Sequence, residues 1–191
     1  MRRFALTLAA FVALCPVSSW AQDNGADAFA ARDFAAAQQL WQQEAADGSA
    51  DAMLGLGLIA DRGYTGPRDF NTAFDWYSQA ADLGLAEAQF NIAIMHDAGL
   101  GRDRDADQAL VWYTRAALRG HARAQYNLGL LYETGDGVAT NADLAAHWFE
   151  KAAQTVPAAA QKSLEADAAA SFLSAPQLSF AQIDAQRAEL V

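Results

Sequence analysis

The chain has 191 residues, of which 13 are Lys or Arg and 23 are Asp or Glu, so its formal net charge at pH 7 is −10. Nucleic-acid binding requires clustered positive charge, and the sequence contains no such cluster. An acidic protein is also poorly matched to anionic membranes. Alanine is frequent and only 4 prolines are present, a composition that favours helix throughout.

Residues 1–21 have the pattern of an export signal. The basic start MRR precedes the apolar run FALTLAAFVAL, and the small residues Ser19 and Ala21 stand at positions −3 and −1 of a cleavage site before Gln22. The apolar run is too short for a permanent membrane span. We therefore expect a periplasmic or secreted chain that does not insert into the membrane after cleavage. The single cysteine, Cys15, precedes the cut, so thiol chemistry is excluded.

Residues 22–48 are predicted to form an N-terminal capping helix region. The stretch DFAAAQQLWQQEAADG, residues 33–48, matches only the second helix of the repeating unit that follows it. The terminal units of repeat proteins are commonly atypical, because their outer face meets solvent.

The next part of the chain repeats itself every 36 residues. AQFNIAIMHDAG at 88–99 returns as AQYNLGLLYETG at 124–135, and three further sets keep the period: Gly63, Gly99, Gly135; Gly48, Gly84, Gly120; and Trp76, Trp112, Trp148. Such a period is typical of helical solenoids. We predict an all-α superhelical solenoid of stacked helix hairpins, with repeats at about 49–84, 85–120 and 121–156. One hairpin cannot bury its apolar faces alone, so each unit presents the same surfaces.

Each repeat is predicted to contain two helices. The first ends at a glycine such as Gly135, which can adopt positive φ, and the second begins near a capping residue such as Asp105. The second helix of the last repeat carries an apolar stripe formed by Ala145, Trp148, Phe149 and Ala152. We interpret the repeated tryptophans as core residues, in preference to a sugar-stacking ladder.

Residues 157–191 are predicted to form degenerate C-terminal capping helices. Pro157 lies 36 residues after His121, and Ala160 and Leu164 keep the register of a first helix. The segment lacks the glycine and the aromatic residue that mark the complete repeats.

The complete repeats resemble the Sel1-like repeat family, relatives of the tetratricopeptide repeats. The pattern A-x-Y-x-L-G-x-x-Y-x-x-G-x-G-V, then D-x-x-x-A, then W-Y-x-K-A-A, is matched in the last repeat by Tyr126, Leu128, Gly129, Tyr132, Gly135, Gly137, Val138, Ala145, Trp148, Lys151, Ala152 and Ala153. The resemblance implies an adaptor or regulator that holds a protein partner. The first repeat has GYTGPRD in place of G-x-G-V, so its inter-helix loop is expected to differ.

The resemblance also implies that the first helices line a concave groove. The candidate partner-binding residues are Glu87, Asn91, Asp97, Arg123, Asn127 and Glu133, with Ile94, Leu130, Asp51, Leu58 and Asp61 on the same face. Asn91 and Asn127 can hold the main chain of a ligand, since an amide both donates and accepts. Alternatively, they make only intramolecular hydrogen bonds. The acidic neighbours favour a neutral or basic protein or peptide.

The sequence contains no motif that indicates catalysis. A nucleophile elbow, a P-loop, an H-E-x-x-H motif and an S-x-x-K motif are all missing. The spacing of His96, His121 and His147 fits no zinc site. We therefore expect no enzyme activity, no metal and no cofactor. The alternatives are an accessory subunit of an envelope complex or, with less support, an enzyme acting on peptidoglycan or a β-lactam.

Overall fold

The computed structural model describes residues 24–155, and all regular secondary structure in this range is helical. The helices are α1 Gly25–Ala30, α2 Phe34–Ala46, α3 Ala50–Arg62, α4 Phe70–Asp82, α5 Ala86–Ala98, α6 Ala106–Leu118, α7 Ala122–Thr134 and α8 Ala142–Thr155. Helices α3–α4, α5–α6 and α7–α8 form three hairpins stacked in chain order. The predicted all-α solenoid is confirmed. The predicted signal peptide and C-terminal caps lie outside the described residues.

Each first helix ends at the glycine that the repeat predicts. Gly63, Gly99 and Gly135 have φ of 68°, 66° and 79°, in the left-handed region. The amide of each glycine donates to a carbonyl four residues earlier, which satisfies an orphan group at the helix end. The first helices are therefore closed in the same way in all three hairpins.

The second helices begin at the predicted capping residues. The Asp69 carboxylate accepts from the Thr72 amide at 3.1 Å, and Asp105 accepts from Gln108 at 2.9 Å. The α4 helix ends at Asp82 and the α6 helix at Leu118, two residues before the glycines that we expected to terminate them.

Buried glutamines join each hairpin to the preceding one. Gln89, which is only 4% exposed, donates to the Ala81 carbonyl at 3.1 Å, and Gln125 donates to the Ala117 carbonyl at 3.0 Å. The same carbonyls also accept from the Gly84 and Gly120 amides at 2.9 and 3.0 Å, so the glutamine side chains add a second donor at these helix ends. The repeated glutamine thus fixes the start of each first helix against the end of the preceding second helix.

The buried aromatic residue of α4 and of α6 lies one position after the expected tryptophan. Tyr77 and Tyr113 are both 2% exposed, whereas Trp76 and Trp112 pack at the edge of the core and remain half-buried. Trp148 and Phe149 are likewise half-buried. The prediction of a tryptophan core is therefore only partly right. On α6, the buried residues Ala109, Tyr113 and Ala116 stand at i, i+4 and i+7 and form the face that packs against the first helices.

The N-terminal cap contains one helix more than expected. The short α1 precedes α2, and the Gly25 amide donates to the Glu44 carboxylate at 2.9 Å. A Cβ at Gly25 would lie 2.1 Å from the Trp41 ring, so only glycine allows this approach. The Phe29 ring packs on Trp41 with centroids 5.2 Å apart. The helix covers the apolar side of α2 that no preceding repeat covers.

The loop of the first repeat differs from the other two, as expected. Gly101 and Gly137 have positive φ, whereas Thr65 stands at the corresponding position of the first loop without it. Tyr64 in that loop stacks on Phe34, with ring centroids 4.4 Å apart. The first loop therefore packs on the N-terminal cap through aromatic rings.

Candidate functional site

The predicted partner-binding residues share the less buried side of the first helices α3, α5 and α7, which we call the first-helix face. On α5, Glu87, Asn91, Ile94 and Asp97 are half-exposed, whereas the residues between them are mostly buried. This side of the helices is the one that the resemblance assigns to the concave surface.

Glu87 and Arg123 occupy the same position in successive repeats and bind each other. The guanidinium of Arg123 lies 3.1 Å from one Glu87 oxygen, and His121 Nε2 lies 2.8 Å from the other. Residues at one repeat position lie side by side in a solenoid, so the spacing of 36 contained the signal for this pair. Both predicted binding residues are thus engaged within the chain.

His121 has a structural role that the sequence reading missed. Its Nδ1 accepts from the Ala124 amide at 3.1 Å, so the ring caps α7, and Nε2 is left to donate to Glu87. The ring also stacks on Phe90 with centroids 4.5 Å apart. The hydrogen bond from His121 lowers the pKa of Glu87, with further help from the charge of Arg123.

Asp97 lies in a second ionic cluster at the other end of α5. Arg104 Nε donates to the Asp97 carbonyl at 2.8 Å, and its guanidinium lies 3.2 Å from the Asp97 carboxylate and also contacts Asp136. Asp61 and Arg68 repeat this loop contact one unit earlier. Burial raises the pKa of Asp97, against the opposing effect of Arg104. These carboxylates fasten the inter-helix loops.

Asn91 and Asn127 have different surroundings, although they share a repeat position. The amide of Asn127 hydrogen-bonds the buried Tyr113 hydroxyl, which also lies 3.4 Å from the Asp97 carboxylate. Burial, assisted by the charge of Asp97, raises the pKa of Tyr113 above its ordinary value. Within residues 24–155, the side chain of Asn91 makes no hydrogen bond. Asn91 is the half-exposed amide that remains available on this face.

The remaining predicted residues supply apolar and acidic surface. Leu58, Ile94 and Leu130 are half-buried, one on each first helix, whereas Asp51 and Glu133 are exposed. In the described part of the chain, neither of these two carboxylates forms an ion pair. The first-helix face therefore offers one free amide, an apolar strip and two unpaired acids.

The three histidines within residues 24–155 lie in separate surroundings. His96 is half-buried, as expected, with its ring edge-on to Phe74 at 5.5 Å, and burial lowers its pKa. His147 lies against Trp148. No three His, Cys, Asp or Glu side chains between residues 24 and 155 are placed to hold a metal ion. No helix in that range is long and apolar enough to cross a membrane.

The repeat pattern and its hairpins agree with a known family model. The model of the Sel1 repeat matches residues 50–85, 86–121 and 122–154. The chain belongs to the Sel1 repeat family. Proteins of this kind are helical scaffolds that commonly mediate protein interactions. The comparison with curated proteins returned no match.

Two solved structures of Sel1 repeat proteins resemble this one. A Sel1 repeat protein from Oxalobacter formigenes is 28% identical, with a TM-score of 0.68 over 75% of this chain and 58% of its own. The protein c5321, a protective antigen of uropathogenic Escherichia coli with the same fold, is 34% identical, with a TM-score of 0.62 over 66% of this chain and 27% of its own. This chain therefore spans less than two thirds of either relative.

Proposed function

We propose that this Sel1 repeat chain is an exported scaffold that binds a neutral or basic protein or peptide along its first-helix face. We place it in the cell envelope as an adaptor or regulator, without catalysis of its own. The support for export is the charge and hydropathy pattern of residues 1–21. The support for binding is the first-helix face itself, because solenoids commonly use the surface formed by successive helices.

The environment of Asn91 carries this proposal. Its amide is half-exposed and has no hydrogen-bond partner in the described range, and it lies between Glu87 and the apolar Ile94 on α5. An extended peptide presents main-chain donors and acceptors that an amide satisfies in pairs. Leu58 and Leu130 extend the apolar surface onto the neighbouring first helices. One amide beside an apolar strip is a suitable arrangement for main-chain recognition with weak sequence preference.

The two asparagines provide a matched pair of variants. Asn91→Ala should weaken partner binding by about fivefold to tenfold, the effect of one lost neutral hydrogen bond, and leave the melting temperature unchanged. Asn127→Ala should instead lower the melting temperature, because it removes the bond to Tyr113. The measurement is capture of a periplasmic partner on the immobilised mature chain, followed by titration with the purified partner.

The salt dependence provides a second measurement on the same complex. Unpaired Asp51 and Glu133 attract a basic ligand, so affinity should fall as ionic strength rises. The double variant Asp51→Asn with Glu133→Gln should reduce that dependence. Binding that is insensitive to Asn91→Ala and to the two acid variants would contradict the assignment of the first-helix face.

A second candidate function is supported by exposed apolar residues on or next to the second helices. Val111 and Leu118 on α6 are exposed, Leu118 by 73%, and Leu83 and Leu144 are also exposed large apolar residues on or next to second helices. Such side chains favour an accessory subunit whose second helices are buried in a larger envelope complex. Val111→Ser with Leu118→Ser would then release the chain from the complex, whereas Asn91→Ala would not.

A further inference from the structure

A cavity of about 160 Å³ lies between α2, α3, α4 and the first inter-helix loop. It is separate from the first-helix face, so it concerns a different part of the molecule from the proposed partner site. The lining side chains and backbone that matter here belong to Gln38, Gln42, Ala60, Thr65, Gly66 and Trp76. Trp76 also packs against the core, which fixes one wall of the cavity.

The cavity exists because three filling residues of the other repeats are replaced here. In the second interface, His96 meets Phe74 edge-on, and the Arg102 guanidinium lies over the same ring. In the third, Leu110, Tyr132 and Val138 pack against the core. The residues at these positions in the first interface are Gln38, Ala60 and Gly66, which lie 36 residues before those of the second interface and 72 before those of the third. Two of the replacements remove volume, and the third adds a polar group.

The polar groups around the cavity are available to a ligand. In the range 24–155, the side chains of Gln38, Gln42 and Thr65 and the Trp76 indole N–H make no hydrogen bond to protein. Two amides and a hydroxyl provide both donors and acceptors, and the indole adds an apolar face with a donor at its edge. The cavity lining therefore combines hydrogen-bonding groups with an indole ring.

The charges around the cavity select against anions. Among residues 24–155, no Lys, Arg or His lines it, and the only carboxylate that does, Asp69, is used at the start of α4, where it accepts from the Asn71 and Thr72 amides. A volume of about 160 Å³ is also well below the roughly 300–1,000 Å³ of pockets that hold drug-sized molecules. The cavity is therefore the size of one ring and suits an uncharged molecule.

We propose that this cavity binds a single pyranose ring of a neutral sugar. The hydroxyl groups of the ring face Gln38, Gln42 and Thr65, and its C–H face lies on Trp76. Such a ring can come from a free monosaccharide or from the terminal unit of a glycan. In the second interface of the same chain, Arg102 and His96 lie against the Phe74 ring at the corresponding positions.

The test uses the mature chain with D-glucose, N-acetylglucosamine, their methyl glycosides and D-glucuronate as probes, followed by saturation-transfer NMR and tryptophan fluorescence. A neutral sugar should bind with a dissociation constant of about 1–10 mM, as expected for a ligand of roughly a dozen heavy atoms. Glucuronate should bind at least about tenfold more weakly, since its charge meets no cation. Methyl glycosides that bind as well as the free sugars indicate a glycan end as the source, and loss of binding on methylation indicates a free sugar.

Gly66→Val restores the residue that fills the third interface and should abolish sugar binding. A Cβ at Gly66 meets nothing within 4 Å and the residue has no positive φ, so the variant should fold normally. Gln38→Leu should weaken binding by about tenfold through loss of an amide contact. The matched control Gln43→Leu changes an exposed residue of α2 outside the cavity and should bind as the parent does.

Two outcomes would overturn the proposal. The first is no saturable binding of either neutral sugar up to about 50 mM, several times the expected dissociation constant, which leaves a cavity that holds only water. The second is binding that survives Gly66→Val in a folded variant, which places the sugar elsewhere. Asn91→Ala should bind the sugar normally, so failure of the proposed partner site and failure of this site are distinguishable.

Discussion

Tyr113 and Trp112 are neighbours on α6, and replacing each by alanine separates the core aromatic from the peripheral one. Tyr113 is 2% exposed, packs near the Phe90 ring with centroids 5.9 Å apart, and hydrogen-bonds through its hydroxyl. Trp112 is half-buried and lies under the Arg115 guanidinium, 4.4 Å from its ring. Tyr113→Ala should therefore cost more stability, although tryptophan is the larger residue.

The magnitudes follow from burial. Truncation of a fully buried large aromatic residue costs about 3–5 kcal/mol, so Tyr113→Ala should lie in that range. Half-burial of Trp112 reduces the corresponding cost to roughly 1.5–2.5 kcal/mol, with about 0.5–1 kcal/mol more from the lost cation–π contact. Tyr113→Phe keeps the ring and should cost only about 1 kcal/mol, through the lost hydroxyl contacts to Asp97 and Asn127.

Urea unfolding of the mature chain, followed by circular dichroism, gives the three free energies of unfolding. The slope of the unfolding curve should be unchanged if each variant alters stability alone. Each repeat interacts mainly with its neighbours. If the unfolding curve of Tyr113→Ala becomes biphasic, we expect the less stable part to be the second and third hairpins, which adjoin Tyr113. A larger loss for Trp112→Ala than for Tyr113→Ala would refute the assignment of the buried position.

Three further outcomes are expected. The hydrogen bond from His121 lowers the pKa of Glu87, so Glu87 stabilises the fold above its ordinary pKa of 4.5, and this contribution is lost as pH falls through the lower pKa of the folded state. Stability measured at pH 7 and pH 3 should therefore differ less for Glu87→Gln than for the parent. In Gly57→Ala the new Cβ would lie 2.5 Å from the buried Tyr77 ring. Overpacking costs about 1–3 kcal/mol and should exceed the gain in helix propensity of about 1 kcal/mol, so the melting temperature should fall. Gly66→Ala, whose Cβ meets nothing within 4 Å, should leave the melting temperature unchanged. Intact mass of periplasmic protein should show a chain that begins at Gln22, and a retained Met1 would contradict export by cleavage.

The sequence by itself determined the helical hairpins, the ends of their first helices and the starts of their second helices. Glycines such as Gly99 end the first helices and Asp105 starts a second helix, because left-handed backbone and side-chain capping are local properties of those residue types. The period of 36 residues determined the stacking, since identical interfaces require identical residues. These features needed no knowledge of which residues meet across the fold.

Only the tertiary structure decided what each surface residue contacts. Asn91 and Asn127 occupy the same repeat position. Asn127 hydrogen-bonds the Tyr113 hydroxyl, whereas Asn91 has no such partner among the described residues. Glu87, a predicted partner-binding residue, binds His121 and Arg123 of the next repeat. Such contacts depend on the spacing and rotation of neighbouring helices, which the period alone does not specify.

Tertiary packing also decides which aromatic residue is buried and where the cavity forms. The sequence places Trp112 and Tyr113 side by side, but the rotation of α6 against α5 decides which ring is buried. Gln38 lies 22 residues before Ala60 and 28 before Gly66, and only the packing of α2, α3 and α4 brings the three to one cavity. Local signals fix where helices begin and end, whereas burial and cavities arise from the sum of side chains contributed by several helices.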